Sequence, residues 1–314
     1  MQTRYKVLVT PASFGKTDPL PLQRLKEYGC EIIKNPLGHP LKEEELIPLL
    51  SDVDGVIAGL DEFTEEAMKS SSRLKVISRY GVGLDNVDTE AAKRLGIVVT
   101  NTPDVNTQAV ADLTFGLLLS VSRMIPQAHL STGQGQWQRF IGRGVCKKVL
   151  GIIGLGHIGK AVAKRAKGFE MEILAYDVKQ DEAFAQTLGI RFRSLDDLLR
   201  EADFITLHCE LNSQTEGILG ERELGLMKET AFLINTARGG LVDEKALYQA
   251  LKAGKIAGAA LDAYGQEPPL GNPLLTLDNI VATPHIGAYT YETVLDMGLL
   301  SVENLMKALR GKTT

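Results

Sequence analysis

The chain is poor in cysteine, tryptophan and aromatic residues generally: its 314 residues include 3 cysteines, 1 tryptophan and 6% aromatics. Cys30, Cys146 and Cys209 are odd in number and far apart. That argues against a disulfide framework or a metal site and fits free thiols in a reducing compartment. No apolar run approaches the ~20 residues of a membrane-spanning helix. The opening Met1-Gln2-Thr3-Arg4-Tyr5-Lys6 lacks the ~7–15-residue apolar core of a secretory signal. Charge of one sign is not in excess either. The net charge is −4 and no basic block occurs, so nucleic acid and anionic membranes gain no support as partners. The expectation is a cytoplasmic protein acting on small molecules.

What is present is an ordinary globular composition, 44% apolar and 24% charged, at a length that suggests about two domains. The first hundred residues alternate apolar strands (Val7–Val9, Ile32–Ile33, Val56–Ala58, Val76–Ile77, Ile97–Val99) with amphipathic helices (Pro21–Tyr28, Lys42–Leu50, Thr89–Leu95). This is a parallel α/β pattern. A helix apolar on nearly every face follows over Thr107–Val121; such a helix is buried inside one subunit or between two. Ser131–Trp137 then reads as a loop. Further strands read at Val149–Ile153, Glu172–Tyr176, Phe204–Leu207, Ala231–Ile234, Ile256–Leu261 and Ile280–Ala282, and a long helix over Tyr291–Leu309. The pattern suggests two six-strand α/β units, the second framed by the first.

The most telling run is Gly154-Leu155-Gly156-His157-Ile158-Gly159, with a strand before it, a helix after it, and a second strand that ends at Asp177. Strand, glycine turn, helix, strand, acid is the order a dinucleotide site requires. Gly154 permits the tight turn, Gly156 lets the backbone approach a pyrophosphate, and Gly159 lets the helix pack close. The helix N-terminus then offers N–H groups to phosphates. Asp177, 18 residues after Gly159, is placed to accept hydrogen bonds from both ribose hydroxyls and to repel a 2′-phosphate. The expected cofactor is NAD in preference to NADP.

Hydride transfer to a carbonyl needs a proton donor, a cation to polarise the carbonyl, and a carboxylate to support the donor. Arg238 lies on a glycine-flanked loop after a strand and can grip a carboxylate with two prongs. Glu267 follows the next strand, ahead of Pro268 and Pro269. His285 follows the last, in Thr283-Pro284-His285, and histidine suits a proton donor. Singly, these also read as a surface arginine, a solvated loop acid and an ordinary loop histidine. Together they fall at three successive strand ends of one sheet. His208 ends another strand near the expected cofactor crevice.

These residues sit in motifs that resemble the D-isomer-specific 2-hydroxyacid dehydrogenases, most closely the D-3-phosphoglycerate dehydrogenase branch in a short form without a regulatory domain. The resemblance covers nearly the whole chain. It rests on the glycine run together with Asn235-Thr236-Ala237-Arg238-Gly239-Gly240-Leu241-Val242-Asp243-Glu244, Leu261-Asp262-Ala263-Tyr264-Gly265-Gln266-Glu267-Pro268 and Thr283-Pro284-His285-Ile286-Gly287. It implies two doubly wound parallel-sheet α/β domains. A Rossmann NAD-binding domain over 103–284 is inserted into a flavodoxin-like substrate-binding lid formed by 1–102 and 285–314. Arg238 would anchor the substrate carboxylate, His285 act as acid and base, and Glu267 support His285. Asp262 would hold the nicotinamide amide, and His157, Ile158, His208, Cys209, Thr236, Ala237 and Gly287 would line the cofactor. Arg79, Tyr80, Gly81, Val82 and Gly83 would bind substrate, with backbone amides near Val82 and Gly83 on its carboxylate. A homodimer through the 107–121 helix is also implied.

Two departures bear on the substrate. Many members of that branch carry an arginine after the third lid strand to bind a phosphate, where this chain has Ala58-Gly59-Leu60; Arg79 is left as one phosphate ligand. Glu210 replaces a proline usual after His208. A glyoxylate or hydroxypyruvate reductase is therefore the alternative within the class, and an NAD-sensing corepressor-type binding protein the alternative outside it. A small formate dehydrogenase fits less well, since those have glutamine at the position of Glu267.

Overall fold

The structure is a computed structural model and describes residues 5–311. The chain forms two units: one runs through Asn106 and resumes at Ala288, and the other is Thr107–Gly287.

In the first unit β1 (Tyr5–Val9), α1 (Leu20–Glu27), β2 (Cys30–Lys34), α2 (Glu43–Leu50), β3 (Gly55–Ala58), α3 (Glu65–Lys69), β4 (Val76–Arg79), α4 (Thr89–Arg94) and β5 (Val98–Thr100) alternate. The five strands are all parallel in the order β2-β1-β3-β4-β5, the flavodoxin-like doubly wound arrangement. Every residue of β3 and β4 is buried, because helices cover both faces of such a sheet. Helix ends are marked in the sequence: Thr64 and Asp88 accept from Ala67 N and Ala91 N and cap α3 and α4.

The second unit opens with α5 (Thr107–Ser122) and α6 (Ile125–Gly133). It continues as β6 (Val149–Ile153), α7 (His157–Gly168), β7 (Glu172–Tyr176), α8 (Glu182–Leu188), β8 (Arg191–Phe192), α9 (Leu195–Glu201), β9 (Phe204–Leu207), α10 (Glu221–Leu224), β10 (Phe232–Asn235), α11 (Glu244–Lys252), β11 (Gly258–Leu261) and β12 (Ile280–Ala282). The sheet order is β12-β11-β10-β9-β6-β7-β8. That is the Rossmann winding, with the switch point between β6 and β9. After it α12 (Tyr291–Leu309) returns to the first unit, where Val294, Met297, Val302, Leu305 and Met306 pack with Val7, Val9, Leu25 and Ile57.

Three sequence expectations differ from this fold. The sheets have five and seven strands, not six each; β8 is two residues long and shows no apolar run. The stretch read as a loop from Ser131 is helical to Gly133. Thr132 bonds back along the helix, its Oγ1 donating to the Ala128 carbonyl at 2.9 Å, and so does not end it. The unit boundaries also fall a few residues beyond 102 and 284, so His285 lies in the second unit. The physical reason is that Ile286 N and Gly287 N both donate to Asp262.

The nearly charge-free α5 buries Ala111, Phe115, Leu117, Leu118 and Val121 in its own unit against α7 and the sheet. Its all-round apolar character therefore requires no partner. Among the described residues no single helix is long and apolar enough to cross a membrane.

Candidate functional site

The strands of the second sheet end level with one another. Ile153 pairs with Tyr176 and Leu207, Leu207 with Asn235, Asn235 with Leu261, and Leu261 with Ala282. Immediately past this line stand Gly154, Asp177, His208, Thr236, Asp262 and Thr283. The carboxyl edge of a doubly wound sheet is where ligands bind, and register alone collects these residues along it.

Three glycines at the β6 end meet three demands. Gly154 has φ +93°, and a Cβ there would lie 2.5 Å from Cys209 N. A Cβ on Gly159 would lie 2.1 Å from the Gly154 carbonyl oxygen, so α7 can sit this close only with glycine. A Cβ on Gly156 would meet nothing within 4 Å, which leaves open space at the N-terminus of α7, where Gly156 is the cap. His157 and Ile158 form the first turn of that helix. Asp177 reaches back across the turn: its Oδ2 accepts from Leu155 N at 2.6 Å and its Oδ1 from Lys179 N at 2.8 Å. The residues present fit a dinucleotide, with open space at the helix N-terminus for phosphates and an anchored acid beside it.

At the β9 end the His208 ring accepts or donates through Nε2 with Thr206 Oγ1 at 2.9 Å, and its Nδ1 is buried without a partner. Burial pushes the imidazole pKa down to about 3, so it is neutral at physiological pH. Burial pushes the neighbouring Cys209 thiol up to about 11, which keeps it unreactive at neutral pH. At the β10 end Thr236 is buried with its hydroxyl 2.9 Å from that of Thr114 on α5. Asn235 shapes the next turn, accepting from Ala237 N at 3.0 Å and donating to the Arg238 carbonyl at 2.8 Å. The Arg238 Nη1 donates to the Ala237 carbonyl at 2.8 Å. Behind Arg238, a Cβ on Gly239 would lie 1.8 Å from Tyr264 C. Only glycine lets the arginine loop dock against the loop that follows β11.

That loop and the one after β12 hold the histidine and glutamate. His285 Nδ1 lies 2.8 Å from both Glu267 carboxylate oxygens. A carboxylate only accepts, so Nδ1 carries the proton and Nε2 is left facing away from Glu267. The two side chains are 27% and 25% exposed, shielded yet reachable. Glu267 is itself held, its Oε1 accepting from Tyr264 N at 3.1 Å, while the Tyr264 hydroxyl bonds the Leu261 and Thr283 carbonyls at 3.1 Å. His285 sits in the left-handed region at φ +53°, which costs about 1 kcal/mol for a residue with a Cβ. Asp262 supplies the restraint. It is 1% exposed and accepts from Ile286 N at 2.8 Å, Gly287 N at 2.8 Å and the Thr283 hydroxyl at 2.6 Å. Burial pushes its carboxyl above the usual range, against the pull of those bonds and of His285. The resemblance implies that Asp262 holds a cofactor amide; within the chain its two oxygens accept three bonds, all from the loop that carries His285.

The first-unit residues divide differently. Arg79 is 5% exposed and its Nη1 donates to the Tyr80 carbonyl at 2.6 Å and the Ala58 carbonyl at 3.3 Å. Its guanidinium lies beneath Gly81, whose Cβ would approach it to 2.8 Å, and Gly81 has φ +148°. Tyr80 is buried against Phe14 and donates to the Val294 carbonyl at 3.1 Å; burial pushes its phenol up to about 12. Both side chains, expected at substrate, face inward, because residues at a strand end alternate between the faces of a sheet covered on both sides. Val82 is the exposed member of the run, with Gly83 beside it.

A model of the D-isomer-specific 2-hydroxyacid dehydrogenase NAD-binding domain matches residues 115–287. The chain is 45% identical over 300 residues to the D-3-phosphoglycerate dehydrogenase of Methanocaldococcus jannaschii, covering 94% of this chain and 57% of that protein. It therefore spans little more than half of that relative. It is 42% identical over 305 residues to the glyoxylate reductase of Thermococcus kodakarensis, covering 92% of each. The crystal structure of the TT0316 protein from Thermus thermophilus superimposes with a TM-score of 0.88 at 40% identity, over 98% of this chain and 97% of that one. The chain belongs to the D-isomer-specific 2-hydroxyacid dehydrogenases, a family of NAD-binding oxidoreductases that act on a CH–OH group.

Proposed function

We propose that the chain interconverts a small 2-keto acid and the corresponding D-2-hydroxy acid with NAD as redox partner. The observation that carries this is the His285–Glu267 pair, 2.8 Å apart on the edge that bears the glycine turn and Arg238. The glycine turn, the α7 N-terminus and Asp177 would hold the cofactor, whose reduced form supplies a hydride to the keto carbon. Arg238 grips the substrate carboxylate and stabilises charge growing on the carbonyl oxygen. The His285 Nε2 proton passes to that oxygen, and Glu267 stabilises the imidazolium before transfer and keeps the remaining proton on Nδ1. In the opposite direction Nε2 takes the hydroxyl proton. Asp262 fixes the left-handed turn at His285. The decisive variant is His285→Ala: NADH binding by fluorescence should persist while turnover falls by at least ~100-fold. Near-normal turnover refutes the assignment.

The substrate reading is an unphosphorylated acid of the glyoxylate or hydroxypyruvate type. The phosphoglycerate reading, the first that the sequence suggests, relies on Arg79, and that guanidinium is buried and donates to the Tyr80 carbonyl and to the Ala58 carbonyl at the end of β3. Past β3 the chain offers Gly59, Leu60 and a buried Asp61, not a cation. The glyoxylate reductase relative is also matched over nearly its full length. A panel of 2-keto acids with and without phosphate, followed by NADH oxidation, should favour the unphosphorylated members; preferential turnover of 3-phosphohydroxypyruvate overturns this reading.

The assembly proposed is a homodimer, with the interface moved from α5 to α6 and the segment after it. Ile125, Leu130, Trp137 and Ile141, all within one short stretch of chain, are 50%, 61%, 82% and 95% exposed, and apolar side chains exposed to this degree favour a partner surface. Light scattering should give twice the chain mass, and Trp137→Ser with Ile141→Ser should lower it. A monomeric parent chain refutes the proposal.

A further inference from the structure

The motif that ends the arginine loop, Val242-Asp243-Glu244, carries two acids that the reaction above does not use. Asp243 has an ordinary task, capping α11 by accepting from Lys245 N and Ala246 N. Glu244 does not. It is the first residue of α11, and its carboxylate points away from the helix to the loop after β11. Its Oε1 accepts from Gly265 N at 2.7 Å and its Oε2 from Asn272 Nδ2 at 2.7 Å. Asn272 is oriented for this by its other end, where Oδ1 accepts from Leu274 N at 3.0 Å. One carboxylate thus ties both ends of the segment 265–272, and Glu267 lies inside that span.

The loop is docked at a second point by the same stretch of chain, where Gly239 presses on Tyr264 and Gly265. Between these two points the backbone of Tyr264 donates to Glu267 Oε1. The span 238–244 therefore both carries Arg238 and fixes the loop that carries Glu267. We infer that Glu244 is a positioning residue for the reaction: by clamping Gly265 and Asn272 it sets the place of the Glu267 carboxylate, and through it that of His285, relative to Arg238. This rests on the reading of His285 and Glu267 given above. Carboxylate acceptors on neutral N–H donors make strong, directional bonds, and misplacement of a reacting group by a fraction of an ångström is costly in rate.

The donor pattern allows a swap test. In Glu244→Gln the amide oxygen can still accept from Gly265, but its NH2 then faces the NH2 of Asn272. In Asn272→Asp two carboxylates face each other. In the double variant the glutamine amide donates to the aspartate, while the other aspartate oxygen keeps its bond from Leu274 N. Each single variant should lose about tenfold in kcat, with the NADH dissociation constant unchanged within about twofold. The double should recover to within about threefold of the parent, because the pair is coupled. A merely structural role would lower the melting temperature and leave kcat per NADH-binding site unmoved. Glu244 is half-buried and its replacement isosteric, so the variants should fold. Glu267→Gln is the control. Parental kcat in both single variants, or losses that simply multiply in the double, overturn the role of Glu244 while a defective Glu267→Gln leaves the reading of the pair intact. Parental turnover in Glu267→Gln instead strikes the reading on which the inference rests.

Discussion

Each sheet has one nearly inaccessible carboxylate just past a strand end, and the two do the same thing for different purposes. Asp61, after β3, and Asp262, after β11, are each 1% exposed. Asp61 accepts from Leu41 N and Gly59 N, at 2.8 and 2.9 Å, and from the Thr10 hydroxyl. Asp262 accepts from two backbone amides and the Thr283 hydroxyl. Both stitch a neighbouring loop to a strand end, as buried carboxylates must if they are to find partners. The difference lies in what the stitched loop carries. Asp61 holds an apolar residue and a glycine. Asp262 holds the turn that includes His285. A buried acid at a strand end is thus a general way to close a doubly wound sheet, and chemistry begins where a titratable side chain rides on the closed loop.

Breaking the second stitch should have the largest kinetic effect. Asp262→Asn sets an NH2 against a backbone N–H and leaves a buried donor unmatched, at a cost of about 1–3 kcal/mol. It should also free His285 from its left-handed turn, lowering kcat about a hundredfold, read by steady-state NADH oxidation and thermal melting together. A variant that melts earlier but turns over normally would put Asp262 on the same footing as Asp61. A smaller effect is expected at Asp177→Ala, which removes the acid at the far side of the switch point. The KM for NADH should rise about tenfold and that for NADPH should fall; equal use of both cofactors by the parent would remove the basis for this. No kinetic effect at all is expected from the first sheet's buried arginine. Arg79→Ala should cost about 2 kcal/mol in urea unfolding, from lost bonds to two carbonyls. The ratio of kcat/KM for phosphorylated and unphosphorylated keto acids should stay put. A tenfold change in that ratio would move Arg79 from scaffold to substrate.

Much of this was legible in the residues. The spacing of Gly154, Gly156 and Gly159 with Asp177 defines a strand–turn–helix–strand, and the structure has Gly154 and Gly159 pressed against backbone while Gly156 faces open space. Arg238, Glu267 and His285 could be ranked because each follows a strand and the strands of a parallel sheet end together. The misses share a cause. Both faces of the first sheet are covered, and one strand's sequence does not say how far that cover reaches past its end, so burial of Arg79 and Tyr80 leaves no mark in the residues. The bonds of Asp262 to amides 24 and 25 residues later, and of Glu244 to Gly265 21 residues later, are made to backbone, which leaves no mark on the partner's identity. Glu244 did stand in a motif, and an acid beside a helix cap with no capping work was the available hint.

The level edge of the second sheet has one more consequence. Adjacent strands stand about 4.8 Å apart, and β7, β6, β9 and β10 are consecutive in the sheet. Asp177 and the arginine loop are therefore separated by three strand spacings, about 14 Å, and His285 by two more. A hydrogen-bonded sheet cannot be stretched; it changes width only by whole strands. The distance between Asp177, proposed to read a ribose, and the groups proposed to move a proton is quantised by the ladder beneath them. Any retuning of reach in this chain has to be made in the loops above the edge, where one residue more or less shifts a side chain and leaves the ruler untouched.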